Sequence, residues 1–64
     1  MRRQITILIV DDQQKILRFL SAQLKAENYL VLTADSGLEA LLIIGETLPD
    51  LVVLDILMPG IKPQ

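Results

Sequence analysis

The sequence predicts an α/β domain built from the element order β-α-β-α-β around a parallel sheet. Two nearly continuous apolar runs, residues 5–10 and 51–54, are typical of parallel strands that are buried on both faces. The segments between the strands carry apolar residues at helical spacing. Strands that alternate with helices favour crossover units and therefore a parallel sheet.

The first strand is predicted over Ile5–Val10, and the first helix runs from Gln13 to about Glu27. Asn28 is a plausible end for this helix, because asparagine tolerates the left-handed backbone conformation that terminates helices. The apolar residues that recur at helical spacing are Ile16, Leu17, Leu20 and Leu24.

The second strand is predicted over Tyr29–Ala34, where apolar and β-branched residues predominate. Ser36 and Glu39 have the spacing of a capping box, which predicts the start of the second helix. That helix continues to about Leu48, and a turn containing proline leads into the third strand, residues 51–54.

Two sheet orders, 1-2-3 and 2-1-3, remain compatible with right-handed crossovers. Only the order 2-1-3 makes the first and third strands neighbours. In that order Asp11 and Asp12, which follow the first strand, approach Asp55, which follows the third. The acidic pattern therefore favours 2-1-3.

These three aspartates predict a site for a divalent cation. Carboxylates at the ends of neighbouring strands repel one another, and a hard cation such as magnesium relieves that repulsion. We expect Asp12 and Asp55 to be direct ligands and Asp11 to act through water. An aspartate beside bound magnesium can also attack phosphorus and form an aspartyl phosphate.

A simpler interpretation of the same residues stays open. Asp11 or Asp12 could be the N-cap of the first helix. Asp55 could be a turn residue that precedes Met58-Pro59-Gly60.

Three motifs carry more information than the spacing of the aspartates alone. They are Ile-Val-Asp-Asp at 9–12, Asp-Ser-Gly followed by Glu-Ala-Leu at 35–41, and Pro-Asp-Leu-Val-Val-Leu-Asp-Ile-Leu-Met-Pro-Gly at 49–60. In this order and spacing they resemble the receiver domain of two-component response regulators, of the chemotaxis-regulator type. The resemblance implies a flavodoxin-like fold, of which residues 1–64 would form the β-α-β-α-β half.

The resemblance also implies a function. Asp55 would accept a phosphoryl group from a phosphohistidine on a sensor histidine kinase, which makes the chain a signalling phosphoprotein and not an enzyme. Magnesium would be held by Asp12, Asp55 and the backbone carbonyl of Leu57, with Asp11 in support.

The resemblance covers about the first half of a receiver. The Ser or Thr and the Lys that receivers carry at the ends of their fourth and fifth strands have no counterpart here, and residues 61–64 differ from the family pattern. Slow or absent phosphorylation therefore stays open, and a receiver-derived interaction or dimerisation module without phosphotransfer is the alternative function. Asp55→Asn should abolish the first function and spare the second.

The third strand would be an open apolar edge, which is a template for pairing with another chain. We expect a homodimer through the edge Leu51–Leu54 and the 37–48 helix, whose composition is apolar nearly all round. The alternative is that these residues face helices of a longer parent protein, and that the 64-residue chain alone aggregates or is disordered.

Other classes of function are disfavoured. A net charge of −2 argues against a nucleic-acid surface, and Arg2-Arg3 is interpreted as a solvated N-terminal lead-in. No stretch has the length of a signal peptide core or a membrane span, and the expected location is the cytoplasm. Asp-Asp-Gln-Gln after the first strand replaces the glycine-rich loop that a nucleotide- or flavin-binding enzyme would need.

Overall fold

The computed structural model describes residues 3–54 and confirms the predicted element order. Five predicted boundaries differ by one residue from the structure. The residues that lie just outside the elements assigned to them are Ile5, Gln13, Glu27, Tyr29 and Leu48. The elements are β1 (Thr6–Val10), α1 (Gln14–Ala26), β2 (Leu30–Ala34), α2 (Gly37–Thr47) and β3 (Leu51–Leu54).

The sheet is parallel and has the order β2-β1-β3, which confirms the prediction of 2-1-3. Val10, the last residue of β1, pairs with Ala34 on one side and with Leu54 on the other. The three strands therefore end at one level, and the central β1 carries the largest fully buried side chains.

Two separate apolar clusters lie on opposite faces of β1. Leu8 and Val10 pack with the α2 side of the molecule, where Ala40 is buried. Ile7 and Ile9 pack with Leu17 of α1 on the other face. This alternation is what a strand with period 2 produces when a helix covers each face.

The helix ends follow local chemistry. Asn28 has φ 71°, in the left-handed region, as its position after α1 predicts. At the start of α2, the Ser36 hydroxyl accepts the Glu39 N–H at 3.1 Å. The Glu39 carboxylate accepts the backbone N–H of Asp35 at 2.8 Å. In the standard capping box it would accept the N–H of the N-cap residue, which is the next residue along the chain. Leu48, with φ 50°, terminates α2.

Arg3 is solvated, as its interpretation as a lead-in residue predicts, but it also makes a specific contact that was not predicted. Its guanidinium donates two hydrogen bonds to Asp50, at 2.7 and 3.1 Å, although its side chain is 72% exposed. Arg3 lies before β1 and Asp50 lies before β3, so the pair joins the starts of two neighbouring strands. Local sequence patterns could not indicate this contact across 47 positions.

The side of the sheet beyond β3 is apolar and open in residues 3–54. All four residues of β3 are exposed, and neither α1 nor α2 packs over this strand. On α2, Leu38, Leu41 and Leu42 are each more than 60% exposed. The prediction of an exposed apolar edge and helix is confirmed for the described residues. Neither described helix has the length and apolar composition that a membrane span requires.

Candidate functional site

The carboxyl ends of the strands place acidic residues at one edge of the sheet. Asp11 follows β1 and is only 6% exposed, which is unusual for a carboxylate. Its backbone N–H donates to the carbonyl of Ala34 at 3.1 Å, so the pairing of β1 with β2 continues one residue beyond the strand.

The Asp11 carboxylate is held by a local hydrogen bond. Its Oδ1 atom accepts the backbone N–H of Gln13 at 2.8 Å, across a turn of two residues. Gln13 is the N-cap of α1, and its own side chain makes no capping bond. The interpretation of Asp11 or Asp12 as the N-cap residue is therefore wrong, although the Asp11 side chain does bind the amide of the N-cap residue.

Two further acidic residues of the described range, Asp12 and Asp35, lie just after β1 and β2. Both are exposed, in contrast to Asp11. Asp35 follows β2, and its backbone is engaged with Glu39 at the start of α2. The edge therefore presents one buried and two exposed carboxylates in its described part.

The donor chemistry at Asp11 and Asp12 fits magnesium, because carboxylate oxygens are the ligands that this hard cation prefers. Asp11 Oδ1 already accepts one amide hydrogen bond, which fixes the orientation of the group. Within residues 3–54, no three side chains of the ligating types group closely enough to hold a metal alone. The predicted site residues Asp55 and Leu57 lie outside the described residues.

An apolar groove of about 300 Å³ lies between α2 and β3. Sequence reasoning predicted its two walls as a surface for another chain but did not predict the groove itself. The sequence feature that predicted this surface is the apolar composition of α2 and β3. Both segments are apolar on faces that a helix or an edge strand normally keeps polar. The groove is lined by Val10, Gly37, Ala40, Leu41, Ile44, Val52 and Leu54.

Comparison with known proteins identifies the family. The family model described as "Response regulator receiver domain" matches residues 7–62. "Probable transcriptional regulator ycf27" of Pyropia yezoensis is 49% identical over 53 residues, which are 83% of this chain and 22% of that protein. "Response regulator PleD" of Caulobacter vibrioides is 48% identical over 54 residues, which are 84% of this chain and 12% of that protein.

The fold agrees with these relatives. The structure of the chemotaxis response regulator CheY4 of Vibrio cholerae superposes with a TM-score of 0.86 at 32% identity, covering 94% of this chain and 50% of that one. The chain thus spans about half the length of CheY4. It spans between 12% and 24% of the length of the curated relatives that it matches.

The family match extends over most of the chain, and the element order and sheet order agree with it. Receiver domains are signalling modules and not enzymes; as a class they depend on magnesium and interact with sensor histidine kinases. This chain belongs to the response regulator receiver domain family of two-component signal transduction.

Proposed function

We propose that the chain is a phosphoacceptor module, in which Asp55 takes a phosphoryl group from a phosphohistidine of a sensor histidine kinase. A carboxylate oxygen of Asp55 would form the new bond to phosphorus while the bond from phosphorus to the imidazole nitrogen breaks. Residues 1–64 would act as one receiver-type unit that corresponds to about half of a receiver such as CheY4.

The observation that carries the proposal is the common level of the strand ends. Val10 and Leu54 are partners in the register of β1 with β3. Asp11 follows Val10, and Asp55 is the next residue of the sequence after Leu54. This register supports an acidic site shared between the two strands, since the carboxyl ends of parallel strands are where open α/β sheets bind their ligands.

Magnesium is proposed as the cofactor, with Asp12, Asp55 and the Leu57 carbonyl as ligands and Asp11 in support. When bound, it would offset the negative charge of the transferring phosphoryl group. The contribution of the protein is orientation: the buried Asp11 carboxylate is fixed by the Gln13 amide, at 2.8 Å, and cannot rotate freely.

The test is intact-mass analysis after treatment with a small acyl-phosphate donor, with and without magnesium. We expect one phosphoryl group to be added to the wild type in the presence of magnesium and none to Asp55→Asn. Asp35→Asn is the matched control, because Asp35 is also an acidic residue at a strand end but is not among the proposed ligands. A folded wild-type chain that gains no phosphoryl group would contradict the proposal.

A second candidate function, a protein-interaction module that forms a homodimer, is favoured by a separate observation. β3 is exposed along its whole length, and α2 exposes Leu38, Leu41 and Leu42 beside it. Apolar surface of this extent is typical of an interface. This function does not require Asp55, so the dimer should persist in Asp55→Asn.

A further inference from the structure

The register of β3 against β1 sets the point from which Asp55 continues. Val10 is paired with Leu54, and Asp55 is the next residue of the sequence, as Asp11 is the next residue after Val10. Strands rise by about 3.3 Å per residue, so a slip of two residues would displace the end of β3 by about 6.6 Å along β1. An acidic site shared between the two strand ends therefore requires this one register.

The side chains of β3 select that register only weakly. β3 has the sequence Leu-Val-Val-Leu, its four residues are exposed, and neither apolar cluster of residues 3–54 includes them. A slip of one residue would exchange the two faces of the strand, but a slip of two restores them. Such a slip towards the start of β1 would pair Leu51–Leu54 with Ile5–Leu8, which keeps four pairs and an apolar partner in three of them.

The side chain of Asp50 does distinguish the two registers. Its Oδ2 atom accepts the Thr6 N–H at 2.8 Å, while the Asp50 N–H donates to the Thr6 carbonyl at 2.8 Å. Arg3 binds both oxygens of the carboxylate, which is only 25% exposed. In the slipped register residue 50 would lie opposite Gln4 and would lose both bonds to Thr6. A hydrogen bond to a charged carboxylate is among the stronger ones, so its loss disfavours the slip.

We propose that Asp50 is a positioning residue for the phosphoacceptor: it fixes the register of β3 at the amino end of the strand and so sets Asp55 level with Asp11 at the other end. The proposal rests on the phosphoacceptor function of the preceding subsection. Five residues of chain, about 16 Å when extended, separate Asp50 from Asp55, so Asp50 acts only through the strand. A misplacement of about 1 Å can cost about 100-fold in rate, and a slipped molecule therefore does not react.

The rate of phosphoryl gain from a small acyl-phosphate donor, measured by intact mass and divided by the folded fraction, tests this role. In Asp50→Ala the two registers have equal numbers of pairs, so we expect about half of the folded molecules to slip and the rate to fall about twofold or more. Asp50→Asn keeps an oxygen for the Thr6 N–H and should restore the wild-type rate.

Leu24→Ala is the matched control for stability. Leu24 packs against the cluster on the α1 side and is remote from β3, so its truncation destabilises the chain without touching the register. We expect the wild-type rate per folded molecule. An Asp50→Ala rate equal to that of the wild type, or an Asp50→Asn rate as low as that of Asp50→Ala, would overturn the proposal.

Nuclear Overhauser effects between backbone protons of β1 and β3 report the register directly. Leu8 is paired with Val52 in the structure and would be paired with Leu54 after the slip. We expect only the first set of contacts in the wild type and both sets in Asp50→Ala. A single, unchanged register in a folded Asp50→Ala chain would contradict the proposal.

Thr6→Pro removes the same hydrogen bond from the other strand, which keeps the test decisive if Asp50→Ala does not fold. Proline is accepted at the first residue of a strand, and Asp50 keeps its Arg3 partner in this variant. We expect the slipped contacts here too, and their absence would overturn the proposal. A wild type that gains no phosphoryl group contradicts the phosphoacceptor function instead, whereas the backbone contacts still decide whether Asp50 fixes the register.

Discussion

Thr6 and Asp50 form a reciprocal pair of hydrogen bonds at the amino ends of β1 and β3. The Thr6 N–H donates to Asp50 Oδ2 at 2.8 Å, and the Asp50 N–H donates to the Thr6 carbonyl at 2.8 Å. Arg3 binds both oxygens of the same carboxylate. The Asp50 side chain thus adds a hydrogen-bonded link between two parallel strands, one residue before the sheet pairing of β3 begins.

Removing the Asp50 side chain should lower the stability of the chain. In Asp50→Ala the Thr6 N–H and the Arg3 guanidinium both lose their acceptor, while Asp50→Asn keeps an oxygen for Thr6. Arg3→Ala removes only a largely exposed ion pair, which contributes little in water. We expect the urea midpoint to fall most for Asp50→Ala, less for Asp50→Asn and least for Arg3→Ala. An Arg3→Ala midpoint as low as that of Asp50→Ala would show that the ion pair, and not the Thr6 bond, holds the strands.

The same residue should make the stability depend on pH. The hydrogen bonds from the Arg3 guanidinium, followed by the bond from the Thr6 amide, lower the pKa of Asp50. A lowered pKa in the folded state means that stability is fully present above the ordinary aspartate value of about 3.9 and is lost as pH falls through the lower folded value. Acid titration of the unfolding free energy should show this loss in wild type and a smaller loss in Asp50→Asn. Identical profiles below about pH 4 would exclude the linkage.

Gly45→Ala should stabilise the chain. Gly45 lies inside α2, is exposed, and has no described atom within 4 Å of the position that a Cβ would take. Alanine in a helix interior is favoured over glycine by about 1 kcal/mol. Gly37→Ala is the control, since Gly37 has equal space but begins the helix and should gain less. Thermal unfolding measures both, and a lower midpoint for Gly45→Ala would indicate that glycine is required there.

Magnesium should stabilise the folded chain through Asp11 and Asp12. A ligand that binds only the native state increases the free energy of unfolding by RT ln(1 + L/Kd), where L is the free ligand concentration, so the unfolding temperature rises with the ligand concentration. Asp11→Asn keeps an oxygen that can accept the Gln13 N–H but removes the charge, so it should reduce the magnesium-induced shift while preserving the turn. Asp35→Asn should keep the full shift. A shift that Asp11→Asn and Asp12→Asn leave unchanged would place the cation elsewhere.

The sequence was a sufficient guide where local rules decide the structure. The apolar run before Asp11, the helical spacing around Leu17 and the pairing of Ser36 with Glu39 each predicted an element that the structure contains. The order 2-1-3 followed from chemistry, because only that order gives the acidic strand ends a common edge. Boundaries differed by one residue, since the first and last residues of an element share its composition without its hydrogen bonds.

Contacts that join distant parts of the chain were harder to predict. Nothing near Arg3 indicates that its partner is Asp50, and an arginine pair beside the initiator methionine is more often solvated. The burial of Asp11 relative to Asp12 depends on how the chain turns into α1, which the identical residue types do not encode. The groove between α2 and β3 depends on helix placement, which periodicity leaves undetermined.

β3 contributes no side chain to either apolar cluster of the described residues. It is therefore coupled less strongly than the other elements to the cooperative unfolding of the chain. The clusters join β1, β2 and the two helices into one unit, whereas β3 is attached mainly by its backbone ladder and by Asp50. Such a segment can open in a sub-global fluctuation without unfolding the rest. Backbone amides of β3 should therefore exchange with solvent hydrogen faster than those of β1. The strand that leads to Asp55 could change its pairing partner while the two helices and the other strands stay folded.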